Sequence, residues 1–289
     1  GGRSGERTRR PARTTRAGRP AAAPRWDRTP SPRTRGLGGD QVEGRQAVRE
    51  LLLAGSRRVR EVWMVDERDD APILRDIVEL ARAARVPVRT VGRGRFVARA
   101  RCEAPQGVLA LAAQLPEADL DDLAAGHDPR AASTAPGRGA PFLVALDGVT
   151  DPGNLGAVLR SAECAGATGV VLPRHRAVHV TPAVTKAAAG AVEHLPIAVV
   201  GGLASAVGRL RDAGVHVVGL DGAAPRSLYD LTGGEGPVCL VLGAEGKGLS
   251  RLVRERCDEV VAIPITGRLG SLNVAAAAAL ACFEIARRR

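Results

Sequence analysis

Aromatic side chains are scarce in this sequence of 289 residues, which contains two Trp, one Tyr and three Phe, or 2% of the chain. Hydrophobic residues nevertheless make up 45%, a proportion typical of globular proteins. The core must therefore be built from Ala, Val and Leu. No apolar run approaches the roughly 20 residues that a membrane span requires. We therefore expect a cytoplasmic protein without a membrane-spanning segment.

Cysteine is also infrequent, and its spacing excludes two kinds of scaffold. The sequence has five cysteines, with no CxxC pair and no accompanying group of histidines. They are Cys102, Cys164, Cys239, Cys257 and Cys282. This spacing argues against a disulfide framework and against a zinc site. We expect reduced thiols and no bound metal.

Positive charge is concentrated at the N-terminus. Residues 1–39 contain eleven arginines and two acidic residues, so +9 of the net charge of +11 lies there. Residues 1–40 also have few apolar side chains, which predicts a disordered basic tail. Arginines release counterions when they approach phosphates, so the tail could bind a polyanion. A solvated tail without a specific role is the alternative.

From residue 41 the sequence alternates between helical and strand patterns and predicts a small α/β domain over 41–114. The predicted helices are 42–52 and 73–84, and the predicted strands are 59–65, 86–91 and 107–111. Four arginines lie between the last two strands, at positions 93, 95, 99 and 101. They form either a patch that faces phosphates or a solvated helix face. Residues 115–140, first acidic and then rich in Pro, Gly, Ser and Ala, predict a linker.

Residues 141–289 predict a larger α/β domain, because continuous apolar strands alternate with helices. The predicted strands are 142–147, 168–172, 195–200, 215–220, 238–242 and 259–263. The predicted helices are 154–165, 183–192, 203–213, 249–256 and 273–287. We expect a parallel sheet covered on both faces, with a ligand at the carboxyl ends of its strands.

The segment 142–166 joins a buried strand to a capped helix. Asp151 is predicted to be the N-cap, with Pro152 at the first helical position. One apolar face of the helix is expected to pack on the sheet, through Leu155, Val158, Leu159 and Ala162. Arg160 shares a different stripe with Gly156, which we interpret as leaving open space for the guanidinium. Gly166 is expected to end the helix.

Two common nucleotide motifs do not fit the glycine-rich loops. The segment 243–250 lacks the phosphate-loop pattern, because Gly248 rather than Ser or Thr follows Lys247. No GxGxxG follows a predicted strand. These mismatches argue against nucleoside triphosphate hydrolysis and against dinucleotide redox chemistry.

Three segments do match one known pattern. They are D-x-x-x-D-P-G-N-x-G-x-x-x-R at 147–160, L-G-x-E-G-x-G-L at 242–249 and I-P-I-x-x-x-x-x-S-L-N-V at 263–274. In order and spacing they resemble the three signature motifs of the SpoU (TrmH-like) branch of the SPOUT superfamily of RNA 2′-O-ribose methyltransferases. Residues 43–52 and 105–108 resemble the small ribosomal-protein-like RNA-binding domain found upstream in members that act on ribosomal RNA.

The resemblance implies a parallel-sheet SPOUT domain with a trefoil knot, preceded by the small α/β RNA-binding domain. It also implies a homodimer, and S-adenosyl-L-methionine as the cofactor. By the match, Gly243, Ile263 and Leu272 contact this cofactor, and Gly248 and Leu220 are further predicted contacts. Gly243, Gly246 and Gly248 are expected to let the backbone approach and donate to the adenosine. Simple core packing is the alternative for Ile263 and Leu272.

The resemblance also assigns catalytic residues. Arg160 matches the proposed catalytic arginine, and because a guanidinium stays protonated we expect it to orient the ribose hydroxyl and neighbouring phosphate. Asn154 is expected to orient the substrate or to hold Arg160. Glu245 is expected to anchor that arginine or its loop across the dimer. Ser271 and Asn273 lie at the start of the last helix, where helix capping is the alternative role. An exposed helix charge is the alternative for Arg160.

Together these features predict methylation of a ribose 2′-hydroxyl, most directly of a guanosine in large-subunit (23S) ribosomal RNA. A transfer-RNA guanosine methyltransferase is the first alternative, and the separate N-terminal domain favours ribosomal RNA over it. A catalytically silent RNA-binding protein is the second. The presence of Arg160, Asn154 and Ser271 favours an enzyme. The Ala-rich stretch 274–283 is expected to pack against a partner subunit.

Overall fold

The computed structural model describes residues 1, 36–66, 71–127, 139–175 and 178–289. Residues 2–35 of the predicted basic tail and 128–138 of the predicted linker lie outside the described residues.

The N-terminal unit is a four-stranded mixed sheet with two helices on one face. Its elements are β1 (Gly36–Leu37), β2 (Gln41–Glu43), α1 (Arg45–Ala54), β3 (Val59–Val65), α2 (Pro72–Ala83), β4 (Val88–Val91), α3 (Arg93–Arg99) and β5 (Val108–Ala112). The strand order is β2-β5-β3-β4, and only β3 and β4 run parallel. The aliphatic faces of α1 and α2 bury Leu51 and Ile77 against this sheet.

The helix predicted at 42–52 is wrong at its start, because Gln41–Glu43 forms strand β2 and the helix begins at Arg45. The break occurs at Gly44, whose φ of +100° is outside the helical region. Gly44 has no side chain to cap the helix. Gln106 supplies the cap instead, since its Oε1 accepts a hydrogen bond from the main-chain N–H of Arg45 at 3.1 Å.

Residues 115–127 are folded onto the neighbouring sheets. Strand β6 (Leu115–Pro116) pairs with β1, and helix α4 (Leu120–Ala124) follows it. Asp119 caps α4 by accepting the N–H of Asp121 at 2.8 Å. Leu120 and Leu123 are buried in the core of the C-terminal unit. Residues 115–127, the first part of the predicted linker, therefore pack against the C-terminal unit. The domain bounds at 114, 140 and 141 stay a prediction.

The C-terminal unit is a six-stranded parallel sheet covered on both faces, as the sequence predicts. Its elements are β7 (Phe142–Asp147), α5 (Pro152–Cys164), β8 (Gly169–Pro173), α6 (Pro182–Ala187), β9 (Ile197–Val200), α7 (Leu203–Asp212), β10 (His216–Leu220), β11 (Val238–Gly243), α8 (Arg251–Arg254), β12 (Glu259–Val261) and α9 (Val274–Arg288). The strand order is β12-β10-β11-β7-β8-β9. Helices α5 and α9 cover one face, and α7 packs on the other. The trefoil knot stays a prediction, since strand pairing alone does not define threading.

Helix α5 forms as the sequence predicts, whereas the helix predicted at 183–192 is interrupted. Asp151 caps α5 by accepting the N–H of Asn154 at 2.7 Å, and all four residues of the predicted apolar face are buried. Helix α6 ends at Ala187 and is followed by a separate 3₁₀ turn, Ala191–Glu193. Gly190 separates them with φ +87°, and a Cβ there would lie 2.6 Å from the Cβ of Glu50. The close contact between Gly190 and Glu50 of the N-terminal unit therefore requires a glycine at this position, and the helix is interrupted there.

A buried ion pair joins the two units. Arg57 of the N-terminal unit approaches Glu193 with an Nη2–Oε1 distance of 2.6 Å, and both side chains are almost fully buried. A second hydrogen bond runs from Arg57 Nε to Glu193 Oε2 at 3.1 Å. Nearby, Glu50 lies 2.9 Å from Nε2 of His194. In the part of the chain that the structure describes, no helix combines the length and hydropathy needed to cross a membrane.

Candidate active site

A cavity of about 460 Å³ opens at the carboxyl ends of β10, β11 and β12. Four segments line it: the loop after β10, the loop after β11, residues 263–272 and the first turns of α9. The described residues that the sequence predicts as cofactor contacts all lie in its wall, namely Leu220, Gly243, Gly248, Ile263 and Leu272. Its size is within the range of small-molecule sites, and its position at strand ends matches the usual place for them in parallel sheets.

The loop after β11 is held closed by its own backbone. The main-chain N–H of Ala244 donates to the carbonyl of Gly248 at 3.0 Å, and the N–H of Gly248 donates back at 2.9 Å. A Cβ at Gly243 would lie 2.3 Å from the carbonyl carbon of Gly248, so only glycine fits there. The expectation that Gly248 donates to a ligand is therefore wrong, because its N–H is already used. These two glycines shape the loop that forms the wall.

Side-chain amides connect the three sequence motifs. Asn273 Nδ2 donates to Asn154 Oδ1 at 3.0 Å, and Asn154 Nδ2 donates to Glu245 Oε2 at 3.4 Å. Asn273 is also the N-cap of α9, since its Oδ1 accepts the N–H of Ala275 at 2.8 Å. One residue from each motif thus joins a single chain of hydrogen bonds beside the cavity. The capping role considered for Asn273 is confirmed.

Glu245 and Ser271 lie in the cavity wall, whereas Asn154 and Asn273 support it from behind. A further contact fixes the same region, since Asp147 Oδ2 at the end of β7 accepts the N–H of Ser250 at 2.6 Å. The first motif is therefore bonded both to the second motif and to the residue that directly follows it. These hydrogen bonds hold the wall in shape.

Arg160 is exposed on α5 and forms no hydrogen bond or ion pair with the residues that the structure describes. Within one chain the amide of Asn154 holds Asn273 and Glu245 rather than Arg160. The interpretation of Gly156 as open space for the guanidinium is wrong. A Cβ at Gly156 would lie 2.4 Å from the Cβ of Ala187, so this glycine allows α5 and α6 to pack closely.

Asp221 is a cavity residue that the sequence analysis did not identify. It follows β10, and its Oδ2 accepts from Arg254 Nη1 at 2.6 Å. Its Oδ1 accepts the N–H of Ala223 at 2.9 Å, which shapes the loop. The Asp-Gly pair after an apolar strand is a turn signal that could have indicated this third strand-end loop.

Cys257 and Cys282 of the C-terminal unit are not activated thiols. Burial raises the pKa of the Cys257 thiol to about 12, and the carboxylates of Asp258 and Asp147 add to the effect. Burial alone raises the pKa of the Cys282 thiol to about 12. Both thiols are therefore protonated at neutral pH. Among the described residues, no group of three or more His, Cys, Asp or Glu could hold a metal ion.

Comparison with protein families gives two matches that together span both folded units. Residues 141–283 match the SpoU rRNA Methylase family. Residues 41–118 match the family described as RNA 2′-O ribose methyltransferase substrate binding. The two matches begin close to the predicted domain starts at 41 and 141.

Similar proteins are found among characterised chains and among solved structures. The chain is 37% identical over 261 residues to the 23S rRNA (guanosine-2′-O-)-methyltransferase RlmB of Photobacterium profundum, covering 88% of this chain and 99% of the relative. It is 39% identical over 255 residues to the RlmB of Shewanella oneidensis, covering 86% and 98%. The crystal structure of the SpoU methyltransferase AviRb from Streptomyces viridochromogenes in complex with AdoMet superposes with a TM-score of 0.68 at 27% identity, covering 86% of this chain and 89% of that one.

Proposed function

Because the chain belongs to the SpoU family of RNA methylases, we propose that it methylates the ribose 2′-hydroxyl of a guanosine in large-subunit (23S) ribosomal RNA. The methyl donor is S-adenosyl-L-methionine, the cofactor held by a structural relative. One observation carries the proposal. Asn154 of the first motif is 91 positions from Glu245 and 119 positions from Asn273, yet these three side chains form one chain of hydrogen bonds beside one cavity.

The residues of the cavity fit this cofactor. Leu220, Ile263 and Leu272 provide apolar walls for an adenine ring. The carboxylate of Glu245 belongs to the same wall, where it favours a cationic sulfonium, whereas that of Asp221 is already paired with Arg254. When bound, S-adenosyl-L-methionine supplies a methyl group on a positively charged sulfur that an oxygen nucleophile can attack.

The protein must position the ribose hydroxyl in line with that methyl group and stabilise the charge that develops on its oxygen. We assign the second task to Arg160, whose guanidinium has no partner among the described residues and can bind the sugar oxygen and adjacent phosphate. Asn154, Asn273 and Glu245 keep the motifs in register. Ser271 places a hydroxyl at the rim of the cavity.

A homodimer is part of the proposal. The outer face of α9 carries the exposed side chains of Ala276, Leu280 and Phe283, spaced so that they form one stripe. Leu280 is 45% and Phe283 is 53% exposed, so the stripe presents two large apolar side chains to solvent. A second copy packed on this stripe would cover it and could bring its Arg160 to a neighbouring cavity. Ribosomal RNA as the substrate implies a cytoplasmic location.

Two alternatives differ from this function in ways that can be measured. A transfer-RNA guanosine methyltransferase would share the cavity but not the preference for ribosomal RNA. The substrate-binding domain match over 41–118 and the RlmB relatives favour ribosomal RNA. A silent RNA-binding protein would leave the cavity unused, so it would bind RNA and release no heat with S-adenosyl-L-methionine.

The decisive experiment is calorimetric titration of S-adenosyl-L-methionine into the wild type and two matched variants. Leu272→Asp puts a carboxylate into the apolar wall and is expected to weaken binding at least about tenfold, because burying an unpaired charge is unfavourable. Leu269→Asp makes the same change in the same loop at a side chain that is 81% exposed and outside the wall, and binding should be unchanged. Absence of heat with the wild type, or equal losses in both variants, would refute the cofactor site.

A further inference from the structure

An ion pair joins the loop after β10 to the helix that follows the loop after β11. Both loops line the first cavity, the one of about 460 Å³ at the strand ends, as distinct from one of about 340 Å³ in the N-terminal unit. Asp221 of the loop after β10 lies in the wall of the first cavity, and its Oδ2 is 2.6 Å from Nη1 of Arg254. Arg254 is the last residue of α8 and is not part of the wall. The pair therefore connects the two loops through an arginine that lies outside the cavity.

The carboxylate of Asp221 is bonded inside the protein through both oxygens. While Oδ2 accepts from Arg254, Oδ1 accepts the main-chain N–H of Ala223 at 2.9 Å and shapes the turn after β10. Only 10% of the Asp221 side chain is exposed, against 37% of Arg254. Removal of the arginine would leave a largely buried carboxylate without its partner charge, which is unfavourable. The pair therefore holds this carboxylate in one position.

The same carboxylate is in close contact with the loop after β11. A Cβ at Gly248 would lie 2.9 Å from Oδ2 of Asp221, so the carboxylate packs against the backbone of this loop. Below it, a Cβ at Gly219 of β10 would lie 2.6 Å from Cδ1 of Leu249, which leads into α8. Strand β10 and the segment after β11 thus approach each other closely at both positions. The distance between the two loops depends on where Asp221 is held.

We propose that Asp221 and Arg254 are positioning residues for S-adenosyl-L-methionine. Their ion pair fixes the loop after β10 against the loop after β11 and so sets the width of the first cavity before the cofactor enters. Affinity is highest when the binding loops are already held in the bound arrangement. Loss of the pair therefore weakens cofactor binding and leaves the rate of methyl transfer from the bound state unchanged. The inference rests on the proposed cofactor.

A second ion pair in the same region provides a matched control. Arg226 lies in the same connection between β10 and β11, and its Nη1 is 2.8 Å from Oε2 of Glu259 on β12. The exposed fractions of the two side chains are 41% and 8%, close to those of the first pair. Neither residue lines the first cavity. An effect that both pairs share is structural, whereas an effect of the Asp221–Arg254 pair alone on the cofactor shows positioning.

The first measurement is calorimetric titration of S-adenosyl-L-methionine into the full chain and its variants. Arg254→Met keeps the aliphatic stem, removes the charge and should weaken binding about tenfold. Arg226→Met makes the same change in the control pair and should bind as the wild type does. Arg254→Lys restores a cation and should recover most of the affinity. Equal losses in Arg254→Met and Arg226→Met, or wild-type affinity of Arg254→Met, would overturn the proposal.

A double variant separates positioning from general destabilisation. Asp221→Asn combined with Arg254→Met leaves no unpaired charge, so urea unfolding should show a stability closer to the wild type than that of Arg254→Met alone. Cofactor affinity should nevertheless stay about tenfold low, because the connection between the loops is still missing. Affinity that recovers together with stability would assign the pair a structural role only.

Kinetics and the wild-type titration complete the test. With ribosomal RNA in excess, Arg254→Met should raise KM for S-adenosyl-L-methionine about tenfold and leave kcat within about twofold of the wild type. A lowered kcat at unchanged KM contradicts positioning of the cofactor. A wild type that gives no heat with S-adenosyl-L-methionine defeats the proposed function and this inference with it, whereas a wild type that binds no more tightly than Arg254→Met defeats the inference alone.

Discussion

Arg160 is the residue on which the proposed chemistry depends most. Its guanidinium is exposed and without a partner among the described side chains, so replacing it leaves no buried group unpaired. Arg160→Ala should reduce kcat by about 10²–10³, the effect expected when a group that stabilises developing negative charge is lost. Affinity for S-adenosyl-L-methionine should not change. Single-turnover methylation and calorimetry on the same protein measure the two quantities.

Arg211 offers a matched control for Arg160. It is an exposed arginine of the same unit, on helix α7, which packs on the opposite face of the sheet. Arg211→Ala should retain the wild-type rate. Full activity of Arg160→Ala, or an equal loss in the two variants, would remove Arg160 from the mechanism.

At the residue scale, sequence motifs predicted the wall of the first cavity well, because they combine residue type with spacing. Five predicted contacts and Glu245 and Ser271 all lie in that wall. The role predicted for Gly156 was wrong. A Cβ at this position would clash with the Cβ of Ala187, which is distant in the sequence. Asp221 was missed for a similar reason, because its partner Arg254 is 33 positions later. Such pairings depend on tertiary structure.

Helix α9 is fixed at its C-terminal end by a carboxylate that two arginines share. Glu284 accepts from Arg287 Nη2 and Arg288 Nε, each at 2.8 Å. The hydrogen bonds from Arg287, followed by those from Arg288, lower the pKa of Glu284 to about 2. Arg288 also donates to the carbonyl of Tyr229 at 2.7 Å, which ties the helix to the loop after β10.

This lowered pKa predicts a pH-dependent contribution to stability. The unfolded carboxyl binds a proton near pH 4.5, and the folded one only near pH 2, so the contribution is complete above pH 4.5 and is lost as the pH falls towards 2. Glu284→Gln should lower the free energy of unfolding by about 1 kcal/mol at neutral pH, a small value because Arg287 is largely exposed. The difference from wild type should disappear near pH 2.

Urea unfolding across this pH range provides the measurement. Glu255→Gln is the control, because Glu255 pairs with Arg251 at 3.6 Å on an exposed helix surface and should contribute little. A difference between wild type and Glu284→Gln that stayed constant down to pH 2 would disprove the assigned cause.

At the scale of elements, the alternation of apolar strands and amphipathic helices predicted the parallel sheet and all six of its strands. The errors lie at helix ends. The helix predicted at 183–192 breaks at Gly190 because the N-terminal unit packs against it. The helix predicted at 42–52 begins later because a distant glutamine supplies its cap. Local periodicity contains neither of these contacts.

For the whole molecule, the joint between the two units was not predictable. Composition suggested a connection over 115–140, but residues 115–127 pack into the C-terminal sheet and its helices. The ion pair between Arg57 and Glu193 joins residues 136 positions apart. Buried charges of this kind are retained only when each has its partner, so the pair fixes how the units meet. Only the folded chain reveals it.

This fixed arrangement places a cavity of about 340 Å³ in the N-terminal unit and one of about 460 Å³ in the C-terminal unit. The cavity of the C-terminal unit is formed by loops from three separate parts of the sequence. The order of the parallel strands brings them together at one edge. The whole-molecule account is therefore that one unit selects an RNA and the other transfers a methyl group to it.

The most direct measurement is the identity of the methylated nucleoside. The purified chain is incubated with methyl-labelled S-adenosyl-L-methionine and unmodified large-subunit ribosomal RNA, and the RNA is then digested to nucleosides and separated. The account predicts label in 2′-O-methylguanosine. Label on a base, or RNA that stays unlabelled although both ligands bind, would contradict it.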